Sequence, residues 1–234
     1  APGGGGRVRY DAVFLDIDGT LLRVDLDVEG YVEDLRPYTT DGPLTVDQAR
    51  EPLWENLRKH INENINYPTE EELMEFRREN ARKTARGLGL DAPAEVLAEA
   101  LERRVLFKPY PESEEVMEEL KSMGLPLYAV SNWDVALEGV LDSLYWTRYF
   151  AGIVASASVG HEKPEEAIFE EALRMSSVAR DRVVHVGNDP VSDVRGAAAM
   201  GIDAVLVDRE GGLEVPEAVA TLPDLRGLLA FVRG

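Results

Sequence analysis

Val13-Phe14-Leu15-Asp16-Ile17-Asp18-Gly19-Thr20-Leu21-Leu22 is an apolar run that stops at two carboxylates, a glycine and a hydroxyl. Such a run reads as a buried strand ending at a reaction centre, because ligands gather at the carboxyl ends of strands in open α/β sheets. Taken alone it is equally compatible with a strand followed by a polar turn. Other stretches bear on the choice. Leu127-Tyr128-Ala129-Val130 ends in Ser131-Asn132, and Val183-Val184-His185-Val186 ends in Gly187-Asn188-Asp189 with Asp193 beyond. Lys163 stands just before Pro164 and a helical pattern. The chain thus supplies a carboxylate pair, a hydroxyl, an ammonium and a second acidic cluster. Phosphoryl transfer through an aspartyl intermediate needs a nucleophile, an acid/base, phosphate anchors and a metal cradle.

Between the first and second of these stretches the pattern is helical. Val46, Ala49, Leu53, Leu57, Ile61 and Ile65 recur at three- and four-residue spacing. Thr45 and Gln48 fit a capping box, and Pro52 predicts a kink or restart. A second helix is expected from about Thr69 to Arg86, with Leu73, Phe76, Ala81 and Thr84 inward. A third is expected from Pro93, carrying Val96, Leu97, Ala100, Leu101 and Val105. Arg23 to Pro43, punctuated by Gly30, Pro37, Gly42 and Pro43, reads as a flap leading into this helical lobe.

From Pro111 the pattern alternates helix and strand, which signals parallel βαβ units and a doubly wound sheet. Strands are expected at Pro126 to Val130, Ile153 to Ala155, Val183 to Val186 and Ala204 to Val207. Helices are expected at Glu112 to Met123, Val135 to Tyr145, Pro164 to Met175, Pro190 to Met200 and Leu222 to Val232. No G-x-G-x-x-G follows a strand, so dinucleotide binding has no sequence support.

The 234 residues, 44% hydrophobic, suffice for one large domain or a core with a smaller lobe. The net charge of −19 argues against a nucleic-acid partner, since backbone binding rests on lysine and arginine. A phosphate site in such a body must be locally positive. The longest apolar stretches are too short for a transmembrane helix, and Ala1 to Gly6 lacks the apolar centre of a signal peptide. The glycine-rich start is expected to be a flexible tail, with folding beginning near Arg7. The absence of cysteine fits a cytoplasmic protein.

The four ordered motifs, Asp16 to Thr20, Ser131, Lys163 and Gly187 to Asp193, resemble those of the haloacid dehalogenase superfamily of hydrolases. Ser131-Asn132-Trp133-Asp134 and His185-Val186-Gly187-Asn188-Asp189 are most similar to the branch with a helical cap inserted between the first and second motifs. The resemblance implies an α/β fold, a doubly wound, Rossmann-like parallel sheet formed by 1–22 and 109–234. It also implies an all-helical cap domain at 23–108. It implies Asp16 as nucleophile and metal ligand, Asp18 as acid/base and backbone metal ligand, and Lys163 as the charge that balances Asp16 and the phosphoryl group. Thr20, Ser131 and Asn132 would serve the substrate. Mg2+ would rest on Asp16, Asp18 and Asn188. Asp189 and Asp193 would stand behind these ligands, with Asp193 orienting Lys163 or a metal-bound water.

The family most often has aspartate where Asn188 stands. An amide oxygen still suits a hard cation but brings no charge, so Asn188 or its neighbour Asp189 completes the site, with position favouring Asn188. His185 reads as a core histidine, His161 as exposed or at a pocket rim, and Trp133 as core or substrate-facing. The expected activity is Mg2+-dependent hydrolysis of a small phosphorylated substrate by a monomer or homodimer. The alternatives are 2-haloacid dehalogenation and a catalytically weak member with a binding role. Family dehalogenases lack an acid at the position of Asp18, because a leaving halide needs no proton.

Overall fold

The structure, a computed structural model, describes residues 8–234; the expected glycine-rich tail and fold start at Arg7 lie outside the described residues. In chain order, the first elements are β1 (Ala12–Leu15), β2 (Leu22–Leu26), α1 (Val28–Leu35), α2 (Val46–Glu63), α3 (Glu70–Gly87), α4 (Ala94–Arg104) and β3 (Val105–Pro109). There follow α5 (Ser113–Ser122), β4 (Leu127–Ser131), α6 (Leu137–Ser143), β5 (Phe150–Ala155), α7 (Ser156–Val159), α8 (Glu166–Ser176) and β6 (Val183–Gly187). A π-helical turn at Pro190–Arg195 leads to α9 (Gly196–Ala199), β7 (Asp203–Val207), β8 (Ala220–Leu222) and α10 (Arg226–Arg233).

The main sheet has the order β5-β4-β1-β6-β7-β8 and its strands run parallel. β1 is flanked by β4 and β6, so the chain switches direction across the sheet beside it. Doubly wound sheets open their ligand crevice at that point, beyond the carboxyl ends of the strands. Alternate residues feed opposite faces. Val13, Leu15, Leu127, Ala129, Val184 and Val186 pack under α5, α6 and α10, while Ala12, Phe14, Tyr128, Val130 and Val183 pack under α8 and α9. Burial on both faces is why the strands read as continuous apolar runs rather than alternating ones.

Helices α1–α4 share a separate core in which Tyr31, Leu35, Ala49, Leu53, Ala81 and Leu97 are buried. This helical region is joined to the sheet through an antiparallel ribbon of β2 and β3 that pairs Leu22 with Pro109 and Leu26 with Val105. The expected capping box is present: Gln48 N donates to Thr45 Oγ1 at 3.3 Å, and Thr45 N donates to Gln48 Oε1 at 3.0 Å.

Several elements differ from expectation. α2 runs unbroken through Pro52, because the buried faces of Ala49, Leu53 and Leu57 hold both halves against one core. Ile61 is 48% exposed rather than inward, since the helix is by then leaving that core. Arg23 to Pro43 contains β2 and α1 rather than a flap alone: Asp27 caps α1, accepting from Gly30 N at 2.9 Å. Gly30 within α1 leaves room for Asp27 and Arg104, which a Cβ at that position would strike. The third helix ends at Arg104, and Val105 opens β3. Pro190 to Met200 is a π turn followed by a short α-helix, and the tail contributes edge strand β8 before α10. No helix among the described residues is long and apolar enough to cross a membrane.

Candidate active site

The ends of β1, β4 and β6 bring Asp16, Ser131 and the Gly187–Asn188 corner together. Asp16 N donates to Val186 O at 2.9 Å, which fixes the first residue beyond β1 against β6. The chain then turns sharply. Ile17 O accepts from the backbone N–H groups of Thr20, Leu21 and Leu22, and Gly19 adopts φ +82°. Gly19 suits that left-handed position, and a Cβ there would lie 2.3 Å from Asn188 Nδ2. The amide of Asn188 therefore fills the space left by the missing side chain.

Around Asp16 the polar groups are almost wholly enclosed. Lys163, 3% exposed, donates through Nζ to Asp16 Oδ1 at 2.8 Å, Asp193 Oδ1 at 2.6 Å and Val130 O at 2.8 Å. Ser131 Oγ donates to Asp16 Oδ1 at 3.1 Å. Thr20 Oγ1 lies 3.0 Å from Asp16 Oδ2 and 3.3 Å from Asn188 Oδ1, a single hydroxyl proton shared between two acceptors. Asp193 comes from the π turn, where Val194 N and Asp193 N both bond Asp189 O. The wider turn aims its side chain back at β6, and Gly187 has no Cβ because one would meet Asp193 Cγ at 2.1 Å.

Burial pulls the Lys163 ammonium towards neutrality, but Asp16 and Asp193 outweigh it and hold its pKa above the usual lysine range. Burial likewise pushes Asp193 up, and Lys163 and His185 overcome it, leaving the carboxyl well below the usual range. At Asp16 burial dominates over the pull of Lys163 and its carboxyl is raised. Two buried carboxylates thus face one ammonium. Asp18 points elsewhere, into a cavity, with Oδ1 accepting from Val24 N at 3.1 Å. Although Asp18 is exposed at the cavity, desolvation by its surroundings, with the charge of Asp16, outweighs the hydrogen bond from Val24 N and raises its pKa.

Other expected residues take definite places. Asn132 spends its amide on Lys163, with Oδ1 accepting from Lys163 N at 2.7 Å and Nδ2 donating to Lys163 O at 2.9 Å. Asp189 is exposed and caps the π turn, its Oδ1 accepting from both Val191 N and Ser192 N. His185 is buried against Phe169, yet its Nε2 lies 2.8 Å from Asp193 Oδ1, tying this core histidine to the Lys163 cluster. His161 is exposed beside Glu165. Trp133 does two jobs, packing on the core and on Phe107 while also lining the cavity.

Some residues near the site carried no sequence signal. Arg209, beyond β7, donates to Thr20 O at 2.8 Å, pairs with Glu112 at 2.7 Å and lies 3.5 Å from the Tyr110 ring centroid, bracing the Gly19 turn. His60 on α2 and Arg77 on α3 both bond Asp134 Oδ2, at 2.8 and 2.9 Å. These pairs form only when remote segments meet; nothing local marks them. Trp133-Asp134 following Ser131 is the nearest thing to a signal.

Among the described residues, no three acidic, histidine or cysteine side chains gather to hold a metal. The donors that the structure brings together are oxygens: the Asp16 carboxylate and the Asn188 amide oxygen. Thr20 reaches both Asp16 Oδ2 and Asn188 Oδ1, so these two oxygens face one small region. An all-oxygen set with one charged member, beside an excess of buried negative charge, fits a hard divalent cation that keeps several waters.

The family model for haloacid dehalogenase-like hydrolases matches residues 10–201. Among curated relatives, a phosphoserine phosphatase of Thermus thermophilus is 37% identical over 59% of this chain and 55% of its own length. A glyceraldehyde 3-phosphate phosphatase of Methanopyrus kandleri is 28% identical over 85% of this chain and 84% of its own. For several other relatives the match spans less than half their length. A solved 2-haloacid dehalogenase from Pseudomonas syringae pv. Tomato superposes with a TM-score of 0.64 at 25% identity, covering 94% of this chain and 96% of that one. The sheet order, the inserted helical region and a family match over most of the chain agree, and the protein belongs to the haloacid dehalogenase-like hydrolases.

Proposed function

We propose that this hydrolase is a Mg2+-dependent phosphomonoesterase acting through an aspartyl phosphate on Asp16. The observation that carries this reading is Asp18: a second carboxyl two residues beyond Asp16, raised in pKa and facing the cavity. An alkoxide leaving group needs a proton, whereas a halide does not. Two relatives named for phosphate monoesters support the same bond class. A solved 2-haloacid dehalogenase is similar at 25% identity over 94% of this chain, and it is Asp18 that favours a phosphate ester over a carbon–halogen bond.

In this reading Asp16 forms an oxygen–phosphorus bond while the ester P–O bond breaks, and Asp18 gives its proton to the leaving oxygen. Asp18 then takes a proton from water as that water attacks the same phosphorus, freeing Asp16 and inorganic phosphate. Lys163 holds Asp16 in one orientation and supplies positive charge to the transferring group. Ser131 Oγ and the hydroxyl of Thr20 flank both Asp16 oxygens, and in this reading they turn to bond phosphoryl oxygens. Asn132 acts by holding the Lys163 backbone, and Asp193, with His185 behind it, keeps the ammonium aimed. Mg2+ held by Asp16, the Asp18 carbonyl and Asn188 would neutralise phosphoryl charge. Residues 23–108 form a cap over a core of 1–22 and 109–234, a division supported by the β2–β3 ribbon at the two crossings.

Phosphate release from p-nitrophenyl phosphate is expected with Mg2+ and is lost in Asp16→Asn. Asp18→Asn should lower kcat by about 10²-fold to 10⁴-fold, the usual worth of a positioned acid/base. Activity that survives Asp16→Asn or strong chelator contradicts the mechanism. Chloride release from 2-chloropropionate without phosphatase activity replaces it with dehalogenation, and no turnover of either substrate leaves the binding role suggested by Asn188.

A further inference from the structure

A cavity of about 370 Å³ opens above Asp18 and Asn132, between the helical region and the sheet. Its volume suits a small ligand. Much of the wall is apolar, from Leu57, Ile61, Leu101, Phe107, Trp133 and Val140. Apart from Asp18, which accepts from Val24 N, the charged groups in the wall are already committed to one another. Arg77 Nη2 bonds Asp134 Oδ2 at 2.9 Å and Nη1 bonds Glu102 Oε1 at 3.1 Å, while His60 Nε2 lies 2.8 Å from Asp134 Oδ2. Lys163 below the floor has its hydrogens placed on Asp16, Asp193 and Val130. One further wall group is uncommitted. Asn64 is only 6% exposed, lines the cavity, and its side-chain amide bonds no described residue.

We propose that this cavity receives the leaving alcohol of the phosphate ester and selects an uncharged, partly apolar alcohol over one that carries a carboxylate. The proposal rests on the phosphomonoesterase reading and deepens it. A carboxylate entering here would meet Asp18, Glu102 and Asp134, and the lining cations it could pair with, Arg77 and His60, are held by Glu102 and Asp134. It would be desolvated without a partner, which is costly. An uncharged group is stabilised by contact with the apolar wall, and a hydroxyl or carbonyl on it completes the hydrogen bonding of Asn64. Arg77 is therefore read as a structural tie between α3 and the Asp134 loop rather than as an anion receptor.

Matched esters test this directly: phenyl phosphate against 4-carboxyphenyl phosphate, and glycerol 3-phosphate against 3-phosphoglycerate, each assayed with Mg2+ and p-nitrophenyl phosphate as the reference. The neutral member of each pair is expected to have a kcat/KM higher by about tenfold or more. Equal values, or a preference for the carboxylated members, overturn the proposal. Glu102→Gln, at a side chain 56% exposed, removes one partner of Arg77 and should shift the ratio towards the carboxylated members by about threefold or more. Asp134→Asn, which uncovers both His60 and Arg77, should shift it further. A ratio unmoved in Glu102→Gln contradicts the charge argument even if Asp134→Asn fails to fold. Absence of phosphate release from every ester, the reference included, is a different pattern: it defeats the phosphomonoesterase reading and this proposal with it.

Discussion

The three hydrogens of Lys163 go to Asp16, Asp193 and Val130 O in surroundings that leave the residue 3% exposed. Removing one partner of a buried charge cluster leaves the others uncompensated, which typically costs about 3–5 kcal/mol. Lys163→Met should therefore lower unfolding free energy by roughly that amount in urea titration, and abolish phosphate release as well. A variant that folds as stably as the parent would contradict the buried geometry. Asp16, Ser131, Lys163 and Asp193 were legible in the sequence because each follows a strand or precedes a helix at the sheet's carboxyl edge. The work of Asn132 was not: its amide looks free in the sequence, and only the fold brings Lys163, 31 positions away, onto it. His185 reads as core from its strand, and the strand is right; its tie to Asp193 depends on a π turn that no local pattern announces.

Elements with local causes were read well. The Thr45–Gln48 box starts α2 as expected, and the alternating pattern after Pro111 gives β4, β6 and β7 to within a residue at each end, whereas β5 begins three residues earlier than expected and β8 was not expected. Thr45→Ala should cost about 1 kcal/mol, measured by chemical denaturation, with kcat unchanged because the cap lies away from the site. A drop in kcat at full stability would mean that this end of α2 communicates with the cavity. Elements whose cause is tertiary were missed. β2 and β3 form because their backbones complete each other's hydrogen bonding across the inserted helices, with Asp25 and Lys108, 83 positions apart, pairing beside them at 2.5 Å. α1 is masked by Gly30, whose space is taken by Asp27 and Arg104. Pro52 reads as a break, yet packing on both sides carries α2 across it.

On the scale of the whole molecule, Asp134 is where the helical region and the sheet are tied, through His60 and Arg77. Burial pushes its carboxyl up, but His60 and Arg77 prevail and its pKa is lowered. A carboxylate depressed on folding stabilises the protein fully above its ordinary pKa of about 3.9, and that contribution is lost as pH falls through the depressed value. Asp193, depressed in the same direction, adds to the effect. The stability supplied by Asp134 and Asp193 should thus be lost below about pH 4, while protonation of the raised Asp16 and Asp18 works in the opposite direction; the acid loss should be smaller in Asp134→Asn than in the parent, and an identical acid limb in both proteins would contradict the role given to Asp134. The fold class and the inserted helical region were visible in the order of motifs, whereas this tie joins residues 74 and 57 positions apart and had no sequence trace. On the phosphomonoesterase reading, the net charge of −19 means that a phosphate ester approaches an acidic body, and with Asp16 and Asp193 facing one ammonium the bound cation would have to supply the remaining positive charge. The most direct measurement is acid quenching during turnover of p-nitrophenyl phosphate with Mg2+, followed by peptide mass mapping. A single phosphoryl group on the peptide containing Asp16, absent in Asp16→Asn, is the result expected; turnover with no phosphoryl group on that peptide, or with the group elsewhere, would contradict Asp16 as the nucleophile.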